Sequence, residues 1–169
     1  MGPTTVNGLP AHVLFVHFVV VLVPLAALLL ILSACWPAAR RRLGVLTPAV
    51  ALVALVLVPL TTHAGEWLEH HTARDPLVRA HAHLGDTLLY WSAAVFVVSA
   101  VSWAVQQDRF RARLTGWARR AVTGRGVTVT VAVLAVLVAV GSVVQVYRIG
   151  DSGAKAVWHD QSTAATAPR

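Results

Sequence analysis

Eight histidines and seven carboxylates hold most of the chemistry open to this chain of 169 residues. The histidines are His12, His17, His63, His70, His71, His81, His83 and His159. Neutral imidazole ligates metals and haem iron and relays protons. Glu66 and Asp86 stand close to the histidines in sequence and extend the set to oxygen ligands. On an α-helix His63, Glu66 and His70 fall within about 60° of one another and share a face. His83, Asp86 and Tyr90 repeat that spacing. His12 and His17 lie roughly 140° apart, so at most one of them points straight into a helical bundle. No HExxH motif accompanies these residues, so the spacing names no particular hydrolase and the chain leans away from enzyme chemistry. Cys35 is the only cysteine, which excludes an internal disulfide and leaves packing as its role.

The elements that must carry these residues are membrane helices. With 57% hydrophobic and 12% charged residues and a mean hydropathy of +0.68, the chain is too apolar for an ordinary soluble domain. Residues 13–36, 47–68, 84–105 and 127–147 are each long enough to cross a bilayer, which takes about 20 apolar residues. The expectation is an all-α, four-helix transmembrane bundle forming one domain over residues 1–169. The only charges within the four runs are Glu66 and Asp86, each near an end.

Basic residues set the orientation. The first connection carries Arg40, Arg41 and Arg42, and the third carries Arg109, Arg111, Arg113, Arg119, Arg120 and Arg125. That makes nine basic residues at one end against five at the other, where six of the seven acidic residues lie. The positive-inside rule then places the arginine loops in the cytoplasm and both termini outside, with all eight histidines on the outer side. The pI near 11.3 is thereby a topology signal, and nucleic acid is not an expected partner. In the third connection Phe110, Leu114, Trp117 and Ala121 recur at helical spacing opposite arginines, which predicts a short amphipathic helix lying on the lipid surface. No cleavable leader is evident, because the apolar stretch from Val13 is a full span without a basic segment before it. One lysine against thirteen arginines, with abundant Ala and Val, suggests a GC-rich bacterial genome and a plasma-membrane location.

Hairpin geometry brings the titratable residues to one layer. Asp75 is suited to cap the third helix with Pro76 at its first position, so the second helix turns back soon after His71. Positions equidistant from that turn lie level, pairing His63 with His83 and Glu66 with His81. Folding the first hairpin about the Arg40–Arg42 region places His17 near the level of Glu66. Pro59, one turn before His63, is expected to kink the second helix.

Four stretches also carry a resemblance: LPAHVLFVHF, GEWLEHH, VRAHAHLGDTLLYW and RIGDSGAKAVW. Together they resemble a bacterial family of small four-helix membrane proteins of unknown function, over nearly the whole chain. Its pattern falls on His12, His17, Glu66, His81, Gly85 and Gly153, while Asp151 stands where relatives often have a histidine. Relatives fused to Rieske or cytochrome c-like domains imply extracytoplasmic electron transfer, with haem as the cofactor and such a domain as the redox partner. Three readings follow. The first is a b-type haem held by two histidines drawn from His17, His63, His81 and His83. The second is a zinc, copper or iron site of His12, His17, Glu66 and His81, with His63 or His83 completing the set. The third is a non-catalytic accessory or assembly subunit whose histidines form a polar network between helices. Membrane lipids are expected partners in all three, and a homo-oligomer is compatible with each.

Overall fold

A backbone immersed in lipid has to satisfy its own polar groups, and four long apolar runs in one chain leave the helix as the solution. The structure is a computed structural model that describes residues 5–6, 9–71, 75–107, 112, 116 and 124–166. A two-residue antiparallel pairing, β1 (Thr5–Val6) with β2 (Leu9–Pro10), precedes the helices and has no counterpart in the sequence reading. The described helices are α1 (Ala11–Cys35), α2 (Pro37–Leu43), α3 (Leu46–His70), α4 (Pro76–Ala104) and α5 (Arg125–Thr166). Of these, α1, α3, α4 and α5 are long and apolar enough to cross a membrane.

The expected spans fall on these helices, overrunning α1 and α4 by the one residue that caps each, Trp36 and Val105, and two larger differences in length stand out. The helix α4 starts eight residues before the apolar run at 84, because Asp75 accepts a hydrogen bond from the Leu77 amide at 2.7 Å and Pro76 occupies the first helical position. The helix α5 runs on for 42 residues, well past the apolar run that ends at 147. Apolar patterning marks where a helix can meet lipid, and helical propensity carries it further. The arginine connection between α1 and α3 is itself the short helix α2. It opens with Pro37 and closes at Gly44, whose φ of 45° a side chain would disfavour. The amphipathic helix expected around residues 110–121 lies outside the described residues.

In the bundle α1 packs on α3 and α5, α4 packs on the same two helices, and α1 meets α4 sparsely across the diagonal. Buried positions repeat in steps of three and four: Val19, Val23, Ala26, Leu30 and Ser33 on α1, and Thr47, Ala51, Ala54, Val58 and Thr61 on α3. The series continues as Leu88, Ser92, Val95 and Ser99 on α4, and as Ala135, Ala139, Ser142 and Gln145 on α5. Most of these residues are small. Helices in lipid gain little from excluding water, so they associate through close backbone approach and hydrogen bonds. Large side chains such as Val21, Leu28, Val97 and Leu137 face outward.

Two polar ties fix the register. The Ser33 and Thr47 hydroxyls share a hydrogen bond of 2.9 Å between α1 and α3. The Gln145 amide on α5 donates to the Leu84 carbonyl at 3.1 Å and to Thr87 Oγ1 at 2.6 Å on α4. Trp91 packs against Gly141, where a Cβ would fall 2.0 Å from the indole ring. That position tolerates nothing larger than glycine.

Candidate functional site

Extending the buried series by one heptad toward the histidine end of the bundle reaches His12 on α1 and His81 on α4. These two residues meet across the diagonal between the helix pairs. Their ring centroids are 6.5 Å apart and their planes stand at 87°. Both side chains are half-buried.

Each ring is held in the same way. His12 Nδ1 lies 2.9 Å from the Thr61 carbonyl oxygen on α3. His81 Nδ1 lies 3.1 Å from the Ile149 carbonyl oxygen on α5 and 3.0 Å from Ser152 Oγ. A carbonyl only accepts, so Nδ1 carries the proton in both rings and, in the neutral form, Nε2 carries the lone pair. Ser152 Oγ itself donates to the Ile149 carbonyl at 2.8 Å, which leaves its lone pairs for His81.

A glycine stands four residues after each accepting carbonyl. At Gly65 a Cβ would lie 2.9 Å from His12 Nδ1, and at Gly153 a Cβ would lie 3.0 Å from His81 Cε1. In a helix the residue at i+4 covers the carbonyl of residue i. A missing side chain there opens the carbonyl to a ring from the neighbouring helix. The motif therefore occurs twice: a histidine in the first two turns of one long helix, and a carbonyl with its glycine in the following long helix. The pair α1–α3 and the pair α4–α5 build it in turn, and the two histidines meet between them.

The other histidines lie elsewhere. His17 is exposed and bonds back to its own helix, with Nδ1 2.6 Å from the Val13 carbonyl. His63 and Glu66 form an i,i+3 contact of 3.6 Å with side chains 62% and 58% exposed. His83, Asp86 and Tyr90 are exposed along one face of α4, and His70 is exposed beside His63 and Glu66 on α3. Both expected face-sharing triplets are thus present, but each looks away from the bundle. The inward faces at these levels carry Thr61, Ala64 and Gly65 on α3, and Gly85 and Leu88 on α4, whose small volumes or apolar surfaces let the helices close. Imidazole and carboxylate at a helix end keep their hydration by facing out. His71 stacks on Trp67 at 4.2 Å and bonds the Trp67 carbonyl at 2.7 Å. The His159 side chain lies outside the described residues.

Of the haem set His17, His63, His81 and His83, only His81 joins the central pair. Of the metal set His12, His17, Glu66 and His81, the structure brings together His12 and His81. Among the described residues no three His, Cys, Asp or Glu side chains stand close enough to hold a metal ion. The residues that sequence reasoning missed are Thr61, Gly65, Ile149 and Ser152. Their signal is the glycine four positions past a carbonyl on the phase of the small-residue stripe. The pair can orient two neutral imidazoles through fixed Nδ1 donors and present their Nε2 atoms as ligands or proton acceptors.

No curated protein and no solved structure matches the chain. Residues 8–166 match the family model DUF2231, described as a predicted membrane protein, and with nearly its whole length covered the chain belongs to that family.

Proposed function

We propose that this multi-pass membrane protein holds a b-type haem through His12 and His81 and serves electron transfer at the outer face of a bacterial plasma membrane. The observation that carries the reading is the pair itself. Two imidazoles from different helices each have Nδ1 tied to a backbone carbonyl and Nε2 left as a lone-pair donor. Metal-bound histidines are oriented by this type of bond, which fixes the tautomer and raises the basicity of the ligating nitrogen. His12 and His81, with ring centroids 6.5 Å apart, would be the residues that hold the group.

Ligand count favours haem over a bare ion. A protein-bound zinc ion takes three or four protein ligands, and the described residues gather two. A porphyrin brings four nitrogens of its own and asks the protein for axial ligands alone. A zinc, copper or iron site of His12, His17, Glu66 and His81 requires His17 and Glu66 to turn inward from exposed positions. When bound, the haem supplies one-electron exchange. The chain's part is to orient the two rings through Thr61, Ile149 and Ser152 and to hold them where four helices converge. The arginine-rich end sets the direction, since nine basic residues against five favour a cytoplasmic placement of that end. A Rieske or cytochrome c-like partner outside then faces the histidine end.

A second reading rests on the same bonds. Each histidine ties its own helix to the next, so the pair also acts as an interhelical clasp in a non-catalytic accessory subunit. Haem content separates the two. Full-length protein purified in mild detergent from haem-replete cells should yield one extractable haem per chain. Protein that is haem-free and takes up none from added haemin removes the haem reading and leaves the clasp.

A further inference from the structure

We infer that the arginine end of the bundle carries a binding site for one anionic phospholipid, its phosphate on Arg40 and its acyl chain in the cleft between α1, α4 and α5. The cleft is a cavity of about 450 Å³. That volume falls within the size range of small-molecule sites. Its lining is of two kinds. Arg40, Ser33, Ser102, Gln106 and Thr128 are polar, and Val101, Val127, Val131 and Ala132 give it an apolar wall. Val101 and Val127 are themselves exposed on the lipid-facing surface, so the wall is continuous with the bilayer.

The polar lining has unspent capacity. Arg40 uses Nε on the Ser33 carbonyl at 2.7 Å and Nη2 on the Ala34 carbonyl at 2.6 Å, closing the end of α1. Its charge has no carboxylate partner among the described residues. Ser102 lines the cavity, and its hydroxyl oxygen is buried with no hydrogen-bond partner among the described residues. The same holds of Ser99, which lines a smaller cleft that shares Ser33, Arg40, Ser102 and Gln106 with the first. Buried hydroxyls are normally satisfied, and a guanidinium with no carboxylate partner among the described residues asks for an acceptor carrying negative charge. A phosphodiester supplies that acceptor and also brings the hydrocarbon that the apolar wall requires. A free phosphate supplies the acceptor alone. The pocket is separate from the His12–His81 pair and does not depend on what that pair holds.

The test is lipid retention by the full-length protein. Protein reconstituted in phosphatidylcholine nanodiscs doped with phosphatidylglycerol is released into the gas phase and bound lipid is counted by native mass spectrometry. The wild type should retain one phosphatidylglycerol per chain in preference to phosphatidylcholine. Ser102→Ala, which leaves the α1 cap intact, and Arg40→Gln should each weaken retention, Arg40→Gln by about tenfold. Arg42→Gln removes the same charge from an exposed position outside the lining and should leave retention unchanged. Val131→Trp, which fills the cleft without touching any charge, should abolish retention. Circular dichroism checks that each variant is helical. Equal loss in Arg42→Gln means diffuse surface charge and overturns the site. Equal retention of phosphatidylcholine overturns the anionic specificity, and displacement of the lipid by inorganic phosphate alone overturns the role of the acyl chain.

Discussion

Gly65→Ala offers a test whose sign, and not only its size, decides the argument. In an ordinary helix interior this substitution stabilises, because alanine is favoured over glycine by about 0.8–1 kcal/mol. Here the new Cβ would lie 2.9 Å from His12 Nδ1 and 3.1 Å from His12 Cε1. That is about half an ångström inside the optimum for non-bonded contact. Neither partner can yield easily, since the Cβ is part of the α3 backbone framework and the ring is tied to the Thr61 carbonyl. Pushing the ring away loses an interhelical hydrogen bond worth about 0.6–1.7 kcal/mol in a membrane protein. Overpacking adds about 1–3 kcal/mol. Set against the helix-propensity gain, the net effect is a destabilisation of about 1–3 kcal/mol. In a His12→Ala background the ring is gone and the same substitution should stabilise by up to about 1 kcal/mol. The coupling between the two positions is therefore about 2–4 kcal/mol, well above the scatter of independent sites. Reversible unfolding in mixed micelles, followed by circular dichroism across the four combinations, measures it. If Gly65→Ala stabilises in both backgrounds, His12 does not sit against Gly65 and the proposed mode of holding the ring is wrong.

Three further outcomes follow from the same geometry. Gly141→Ala places a Cβ 2.0 Å from the Trp91 ring and should destabilise by about 2–3 kcal/mol in the same unfolding assay, with recovery in Trp91→Ala. The triple variant His17→Ala, His63→Ala, His83→Ala removes exposed side chains only and should unfold within about 0.5 kcal/mol of the wild type. For orientation, a cysteine replacing exposed His71 in the Cys35→Ser background should react with a membrane-impermeant maleimide on intact spheroplasts, and one replacing exposed Arg42 only after lysis; the reverse pattern turns the histidine end to the cytoplasm.

Much of the bundle was legible because lipid permits few solutions. Four apolar runs, the Asp75–Pro76 helix start and the arginine connections fix the helices and their alternation with no tertiary information. Helical spacing also holds in the structure, where His63, Glu66 and His70 share an exposed face, as do His83, Asp86 and Tyr90. What angular spacing lacked was phase. In a soluble helix the apolar stripe marks the inside, but every face of these helices is apolar, so hydrophobicity does not say which way a histidine points. The phase is carried instead by small residues. On α1 the series Val19, Val23, Ala26, Leu30 and Ser33 points back to His12 and away from His17. On α4 the series Leu88, Ser92, Val95 and Ser99 points back through Gly85 to His81 and away from His83. The carbonyl partners Thr61 and Ile149 had no side-chain signal at all. Only the glycines four residues beyond them, Gly65 and Gly153, mark where a backbone acceptor lies open.

The central claim is that His12 and His81, and not the more exposed histidines, are the ligands of a b-type haem. A reduced-minus-oxidised absorption spectrum of the purified full-length protein, compared across variants, addresses it most directly. The wild type and the His17→Ala, His63→Ala, His83→Ala variant should show the same sharp α band and Soret shift of a low-spin, bis-histidine haem. His12→Ala and His81→Ala should each lose the low-spin α band while remaining helical. An absorption band that survives both single substitutions, or one that disappears only with His17, His63 or His83, contradicts the assignment.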